Sequence, residues 1–258
     1  MERILDGQTA IVTGASGGLG AHFARVLARA GAKVAVTARR IELVEALAGE
    51  IAAEGGQAMA LRLDVADAHA IAPAFAEIEA ALGPLSILVN NAGVGGEGLA
   101  MDLSIEDWDR TFDVNVRGVF FAAQAAARMM RANGTADAGL SRIINIASVA
   151  SFTVLPGLSA YNASKSAAAM LTKSLAREWS RYGIAVNAIC PGYIETDINA
   201  DWFKTEGGQK QVKGFPRRRL MDATDLDAPL LMLAGPAARA ISGSLFTIDD
   251  GQSLPGGG

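Results

Sequence analysis

Short apolar runs rich in β-branched residues recur along this chain, separated by longer segments with apolar residues at helical spacing. The runs are Thr9–Thr13, Lys33–Thr37, Ala58–Leu63, Ile87–Asn90, Arg142–Ala147, Ile184–Ile189 and Leu245–Ile248, each nearly continuous rather than alternating. A strand with one wet face alternates, so continuous runs predict strands covered on both faces. Leu19–Ala30, Glu42–Glu54, Ala70–Leu82, Trp108–Arg131, Ser159–Tyr182 and Asp225–Leu233 carry the helical period. Strand, helix, strand, repeated, predicts parallel pairing through right-handed crossovers. The expected fold class is therefore α/β, a doubly wound parallel seven-stranded sheet with helices on both faces.

The chain has 258 residues, ample for one large core, and its composition has no break that would mark a second domain. A single domain over residues 1–258 is expected, with an insertion near 195–220. Its loosest part, Asp201–Arg219, is polar and glycine-containing and reads as a loop over the sheet's edge. The tail 254–258 is expected to fray.

A net charge of −4 with interspersed signs argues against nucleic acid as a partner. Cys190 is the single cysteine, so no intrachain disulfide forms, which fits a reducing cytoplasm. His22 and His69 have no cysteine or carboxylate at ligand spacing, so no metal site is expected. No apolar run reaches the roughly 20 residues of a membrane-spanning helix, and the N-terminal residues lack a signal peptide's apolar core. These features point to a soluble protein with no membrane partner.

In such a sheet, ligands bind beyond the carboxyl ends of the strands. After the first strand comes Thr13-Gly14-Ala15-Ser16-Gly17-Gly18-Leu19-Gly20, opening directly into a helix. Glycines there permit a sharp turn and close approach to a diphosphate, and the helix N-terminus offers free N–H groups. The same cluster could be an ordinary strand–helix turn. The second strand ends Thr37-Ala38-Arg39-Arg40, where an NAD site usually places a carboxylate for the ribose 2′-hydroxyl. Alanine followed by arginines favours a 2′-phosphate, hence NADP(H) over NAD(H), with Arg39 as the selecting residue. Arg40 reads as the solvated start of the next helix. Asp64-Val65 could meet the adenine, and the small residues after Asn90 (Asn91, Ala92, Gly93) would let a ribose lie against the backbone. Each is equally ordinary turn chemistry.

Tyr161 and Lys165 are four residues apart in a helical segment and share a face. Ser148 ends the fifth apolar run, and Asn115 lies in the preceding helical stretch. With these residues in view, the sequence resembles the short-chain dehydrogenase/reductase family over essentially its whole length. The resemblance rests on TGASGGLG, Asp64-Val65, the NNAG of 90–93, Asn115, Ser148, the YNASK of 161–165 and Pro191-Gly192. It implies a Rossmann fold and a catalytic tetrad of Asn115, Ser148, Tyr161 and Lys165. It also implies a cofactor cradle of Gly14, Ser16, Gly18, Leu19, Gly20, Arg39, Asp64, Val65, Asn91, Ala92, Gly93, Tyr161, Lys165, Pro191 and Gly192, with Ile194 and Thr196 at the nicotinamide half.

The chemistry is consistent with those roles. Lowering a phenol from about 10 to about 7 takes roughly 4 kcal/mol of phenolate stabilisation. An ammonium roughly 5 Å away supplies about 3 kcal/mol at an effective dielectric of about 20. Ser148 would hydrogen-bond the substrate oxygen, and Asn115 would tie a water to Lys165.

Several positions depart from the family pattern. Gly17 stands where some relatives carry a basic residue that favours NADP. Phe215–Leu226 replaces a glycine-containing segment, and its Arg217, Arg218 and Arg219 read as a solvated run, a subunit contact or a seat for an anionic substrate tail. Asp250 occupies the place of a frequent glycine, which bears on local backbone shape. The substrate lining falls on 94–98, 149–155, Tyr193 and 199–203. Its Phe152, Leu155, Tyr193, Trp202 and Phe203 suit an apolar or aromatic ketone, or simply pack as a lid; a 3-oxoacyl thioester is a further option.

The expected function is an NADPH-dependent oxidoreductase moving a hydride between the cofactor and a ketone or secondary alcohol. An NAD-dependent secondary-alcohol dehydrogenase and a cofactor-sensing binding protein are the competing readings. The resemblance also implies a homo-oligomer, a tetramer or dimer built on long paired helices and the final strand.

Overall fold

The computed structural model describes residues 3–96, 98–196 and 199–254. Expectations that fall on 97, 197–198 and 255–258, including most of the tail expected to fray, lie outside the described residues.

The seven apolar runs are the strands of one parallel sheet. They are β1 (Thr9–Thr13), β2 (Lys33–Ala38), β3 (Gln57–Arg62), β4 (Leu85–Asn90), β5 (Arg142–Ile146), β6 (Ala185–Pro191) and β7 (Leu245–Ile248). Their order is β3-β2-β1-β4-β5-β6-β7. β1, β4, β5 and β6 are buried at every position, which is why they read as continuous rather than alternating. The order reverses direction between β1 and β4, and a crevice opens at the carboxyl ends of strands flanking such a point.

Helices cover both faces. One apolar layer gathers Phe23 and Leu27 of α1 (Gly18–Arg29), Val44 and Leu47 of α2 (Ile41–Ala53) and Leu230 and Leu233 of α9 (Asp227–Ala234). The other gathers Ile71, Phe75 and Ile78 of α3 (Ala68–Leu82), Ala122 and Met130 of α5 (Val119–Ala132) and Leu175 of α6 (Ser159–Trp179). No helix among the described residues is long and apolar enough to cross a membrane.

Two stretches differ from the sequence reading. Trp108–Arg131 reads as one helix, but the structure has α4 (Ile105–Phe112) and α5 joined by a π-helical turn over Asp113–Gly118. Ser104 starts α4 three residues early by accepting the Asp107 N–H at 3.0 Å. Asp201–Arg219 reads as a loop, but it holds α7 (Ala200–Lys204) and α8 (Glu206–Gly214). Thr205 caps α8 by accepting the Gly208 N–H at 3.1 Å. Gly208 is there for close approach, since a Cβ on it would stand 2.2 Å from the Trp202 carbonyl oxygen.

Candidate active site

The glycine turn and the end of β4 are fastened together. Gly14 has φ +67°, and a Cβ there would meet the Ala92 Cα at 2.6 Å. A Cβ on Gly20 would meet the Gly14 oxygen at 2.3 Å. The Thr13 hydroxyl accepts the N–H groups of Asn91 and Ala92, each at 3.1 Å. The Asn91 amide in turn donates to the carbonyls of Thr13 (3.0 Å) and Gly14 (3.1 Å). Asn91 therefore holds the turn's shape with its side chain. The Asn90 amide donates to Asn145 at 3.0 Å, and the Asn145 amide to Thr172 at 2.9 Å. This buried polar chain keeps the ends of β4 and β5 in register with α6.

The turn is open where a phosphate would sit. Gly18 has φ +51° and is exposed, with nothing nearer to an added Cβ than the Thr196 methyl at 3.9 Å. No side chain caps the start of α1, so the N–H groups of its first turn lack a side-chain acceptor. Leu19, half-buried, packs its side chain on the apolar layer beneath. Arg39 is exposed beyond β2. Arg40, read as a solvated helix start, occupies the N-cap position of α2 and also donates from Nη2 to the Ser16 hydroxyl at 3.0 Å. The structure thus brings both ends of the expected phosphate site together through a contact that sequence spacing does not reveal.

Beyond β3, Asp64 accepts the Ala66 N–H at 3.0 Å, and Val65 packs on Gly118 at the π-helical turn. That turn presents Asn115, 1% exposed. Its Oδ1 accepts the Val94 N–H at 2.9 Å, and its Nδ2 donates to the Val94 carbonyl (2.9 Å) and to Ser164 Oγ (3.0 Å). Ser164 passes the link on, donating to the Tyr161 carbonyl at 2.8 Å. A Cβ on Gly93 would lie 3.4 Å from Asn115 Oδ1 and 3.5 Å from Lys165 Nζ, so Asn115 and Lys165 converge over Gly93.

Ser148, Tyr161 and Lys165 meet at the end of β5. Ser148 is buried, its hydroxyl accepts the Ala150 N–H at 3.1 Å, and it neighbours the Tyr161 phenol. Lys165, 6% exposed, donates to the Ile146 carbonyl at 2.8 Å and holds its Nζ 5.6 Å from the Tyr161 ring centroid. Burial pushes the ammonium down to about 8. Burial also pushes the Tyr161 phenol up, with neighbouring Ser148 pulling against it. In the protein alone desolvation dominates at Tyr161, so its phenol lies above rather than below the ordinary tyrosine range.

Across this edge, β6 runs out through Pro191 and Gly192. A Cβ on Gly192 would lie 2.8 Å from the Asp249 Cα, so the backbone turn at Asp249 requires glycine there. Ile194 is buried in the apolar layer below α1, and Thr196 faces Gly18. Asp250, φ +55°, adopts the left-handed backbone that a glycine would favour. It accepts from Arg217 Nη1 (3.0 Å) and Arg219 Nε (3.1 Å), so two of the three arginines are internal ion pairs.

A crevice with no room for Cβ atoms on its floor, an uncapped helix start, an exposed cation beyond β2 and a serine–phenol pair beside a buried lysine fit a dinucleotide and a redox partner. The comparisons agree. The family model for short chain dehydrogenase matches residues 8–207. Gluconate 5-dehydrogenase of Gluconobacter oxydans is 35% identical over 251 residues, covering 97% of this chain and 96% of that protein. The gluconate 5-dehydrogenase of Burkholderia cenocepacia, solved in complex with NADP and tartrate, superposes with a TM-score of 0.92 at 35% identity, covering 99% of this chain and 98% of that one. A short chain dehydrogenase of the same organism, solved with NADP, gives a TM-score of 0.88 at 38% identity over 96% and 99% of the two chains. By fold, motif order and matched length, the chain belongs to the short-chain dehydrogenase/reductase family of NAD(P)-dependent oxidoreductases.

Proposed function

We propose that this protein is an NADPH-dependent oxidoreductase interconverting a ketone and a secondary alcohol, with Tyr161 as its proton donor. The observation that carries this reading is the buried Lys165, its Nζ 5.6 Å from the Tyr161 ring centroid, beside the buried Ser148 at the strand ends where Gly14 and Gly20 leave no room for side chains.

A bound nicotinamide supplies the hydride. Tyr161 gives its proton to the developing alkoxide in reduction and takes it back in oxidation. Ser148 donates to the same oxygen and orients it. Lys165 holds the ribose hydroxyls, and its charge offsets part of the phenol's desolvation. Asn115 positions Val94 and, through Ser164, the Tyr161 backbone. Both of its amide N–H groups are engaged, while Oδ1 accepts one of two possible bonds and would tie the water that resupplies Lys165.

Gly14, Ser16, Gly18, Leu19 and Gly20 cradle the diphosphate, and Asp64 and Val65 the adenine. Asn91, Ala92 and Gly93 line the ribose, while Pro191, Gly192, Ile194 and Thr196 shape the nicotinamide end. Arg39, exposed and without a carboxylate among the described residues within ion-pair distance, selects the 2′-phosphate. Relatives named for gluconate, and one solved with tartrate, favour an oxygen-rich substrate over an apolar ketone. The chain acts as one cytoplasmic domain and as a homo-oligomer. Exposed Ile105 and Trp108 on α4 and Met170 on α6 are candidate contact residues, and a tetramer or dimer is the family's habit.

The test is Tyr161→Phe, followed at the NADPH absorbance band with a ketone panel. Turnover is expected to vanish while NADPH still binds, and near-normal activity overturns the assignment. In parallel, Arg39→Asp should invert the preference for NADPH over NADH. An unchanged preference removes Arg39 from the selection.

A further inference from the structure

Gln252, half-buried in the last turn of the chain, holds two segments that are distant from it in sequence. Its Oε1 accepts the Tyr193 N–H at 2.7 Å, and its Nε2 donates to the Arg219 carbonyl at 3.3 Å. A backbone N–H can only donate and a carbonyl can only accept, so these partners fix which way the amide faces. Glycine at 192 leaves free the space that the glutamine's oxygen occupies. The turn beneath is itself held, because the Asp249 carboxylate, 8% exposed as a residue, accepts the N–H groups of Gly251 (3.0 Å) and Ser253 (2.9 Å).

Both segments bear on the site. Tyr193 opens the stretch by which the chain leaves β6, where Ile194 lies below α1 and Thr196 faces the Gly18 of the glycine turn. Arg219 belongs to the segment that returns from the lid helices α7 and α8. The lid also departs from that first stretch. Asn199, just ahead of α7, accepts the Thr196 N–H at 2.8 Å and donates to the Ile194 carbonyl at 2.9 Å. On the return, the Met221 N–H donates to the Tyr193 carbonyl at 3.0 Å. The lid thus leaves from and comes back to residues 193–196, and one amide bonds that stretch and the returning segment together. A group seated against 192–196 acts on the lid through it.

We propose that Gln252 is a positioning residue that couples the cofactor to the lid: with a dinucleotide seated against residues 192–196, its amide holds the returning segment down over the site. The assignment rests on the oxidoreductase reading above. The two halves of the amide have separate roles. Oε1 keeps the β6 exit in the shape that the cofactor meets, and Nε2 passes that order to Arg219. One half can therefore be removed while the other stays.

The test measures NADPH affinity by fluorescence and trypsin cleavage at Arg217–Arg219 with and without saturating NADPH, at about pH 8, where a glutamate is ionised. In wild type, NADPH should slow that cleavage by about tenfold, the size of one neutral hydrogen bond. Gln252→Glu keeps an acceptor for the Tyr193 N–H but turns an oxygen toward the Arg219 carbonyl. It should bind NADPH within about threefold of wild type, while the protection falls below about twofold. Gln252→Met keeps the length of the side chain and loses both bonds, so NADPH affinity should fall as well, by about tenfold. Asp250→Asn is the control: it releases the Arg217 and Arg219 side chains and leaves the bridge, so cleavage starts faster and NADPH still slows it. A merely structural role would move affinity and protection together in both Gln252 variants. Wild-type cleavage indifferent to NADPH, undiminished protection in Gln252→Glu, or wild-type affinity in Gln252→Met overturns the proposal. Failure of wild type to bind NADPH would instead strike the reading beneath it.

Discussion

Lys165 Nζ stands 5.6 Å from the centroid of the Tyr161 ring and at the same time donates to the Ile146 carbonyl at 2.8 Å. One strand-end carbonyl thus fixes a cation under a phenol. The arrangement stores an electrostatic cost in the protein alone, because the lysine is 6% exposed and burial holds it down to about 8 from 10.5.

That cost has a pH signature. Between those two values the folded protein binds fewer protons at Lys165 than the unfolded chain, so stability rises with pH across the window. Lys165→Met should therefore abolish turnover yet stabilise the cofactor-free protein near neutral pH. The gain is up to about 3 kcal/mol less about 1 kcal/mol for the lost hydrogen bond. The margin over wild type should shrink toward about pH 10. Urea melts of both proteins at about pH 7 and about pH 9.5 check this, and a margin independent of pH contradicts the burial argument.

The glycines of the turn should separate by cause. Gly14→Ala must both strain a left-handed backbone and push Ala92 away, because the new Cβ would stand 2.6 Å from the Ala92 Cα. Gly18→Ala shares the positive φ but opens onto space, with its nearest neighbour at 3.9 Å. Gly18→Ala should cost about 1–2 kcal/mol of stability, whereas Gly14→Ala costs more and loses cofactor affinity as the two strand ends part. Thermal melts with and without NADPH distinguish them. Equal behaviour of the two variants would show that backbone strain alone governs the turn.

Asn115 supplies a third expectation. Replacing it with leucine orphans the Val94 N–H and carbonyl at once, beside a buried Ser164 hydroxyl. Each unsatisfied buried group costs about 1–3 kcal/mol, so Asn115→Leu should be destabilised by several kcal/mol. Asn115→Asp retains an acceptor for the Val94 N–H and should lose less. Comparing the two denaturation midpoints decides whether the amide's role is this double bond.

The sheet was legible because burial on both faces writes itself as continuous apolar runs, and β1 and β7 match those runs end to end. The glycine turn and the Tyr161–Lys165 spacing were legible because their chemistry is local. What escaped the reading depends on distance in the chain. The π-helical turn at Asn115 leaves no mark in a periodicity that simply continues from Trp108 to Arg131. Gly207 and Gly208 signal a loop to any local rule, yet Gly208 is small because the Trp202 carbonyl passes over it. Arg40 is exposed at the start of α2, as its position suggests, but its 3.0 Å bond to the Ser16 hydroxyl across 24 residues has no local mark. The pairing of Arg217 and Arg219 with Asp250 spans still more of the chain.

That last pairing controls how the lid is anchored. Asp250 sits in a left-handed backbone, which asparagine tolerates about as well as aspartate does. Asp250→Asn therefore leaves the turn's conformation in place and removes only the charge that gathers Arg217 and Arg219. Both arginines are substantially exposed, so global stability should fall by less than about 1 kcal/mol. The segment between α8 and Met221, however, loses two tethers to the chain's last turn. Trypsin should then cut at Arg217–Arg219 several-fold faster than in wild type under native conditions, while the melting temperature barely moves. Cleavage at the wild-type rate would mean that the packing of Phe215 on Tyr193 and the remaining contacts of Arg219 with Asp222, Asp225 and Gln252 keep this segment down, and that the Asp250 ion pairs are incidental to it.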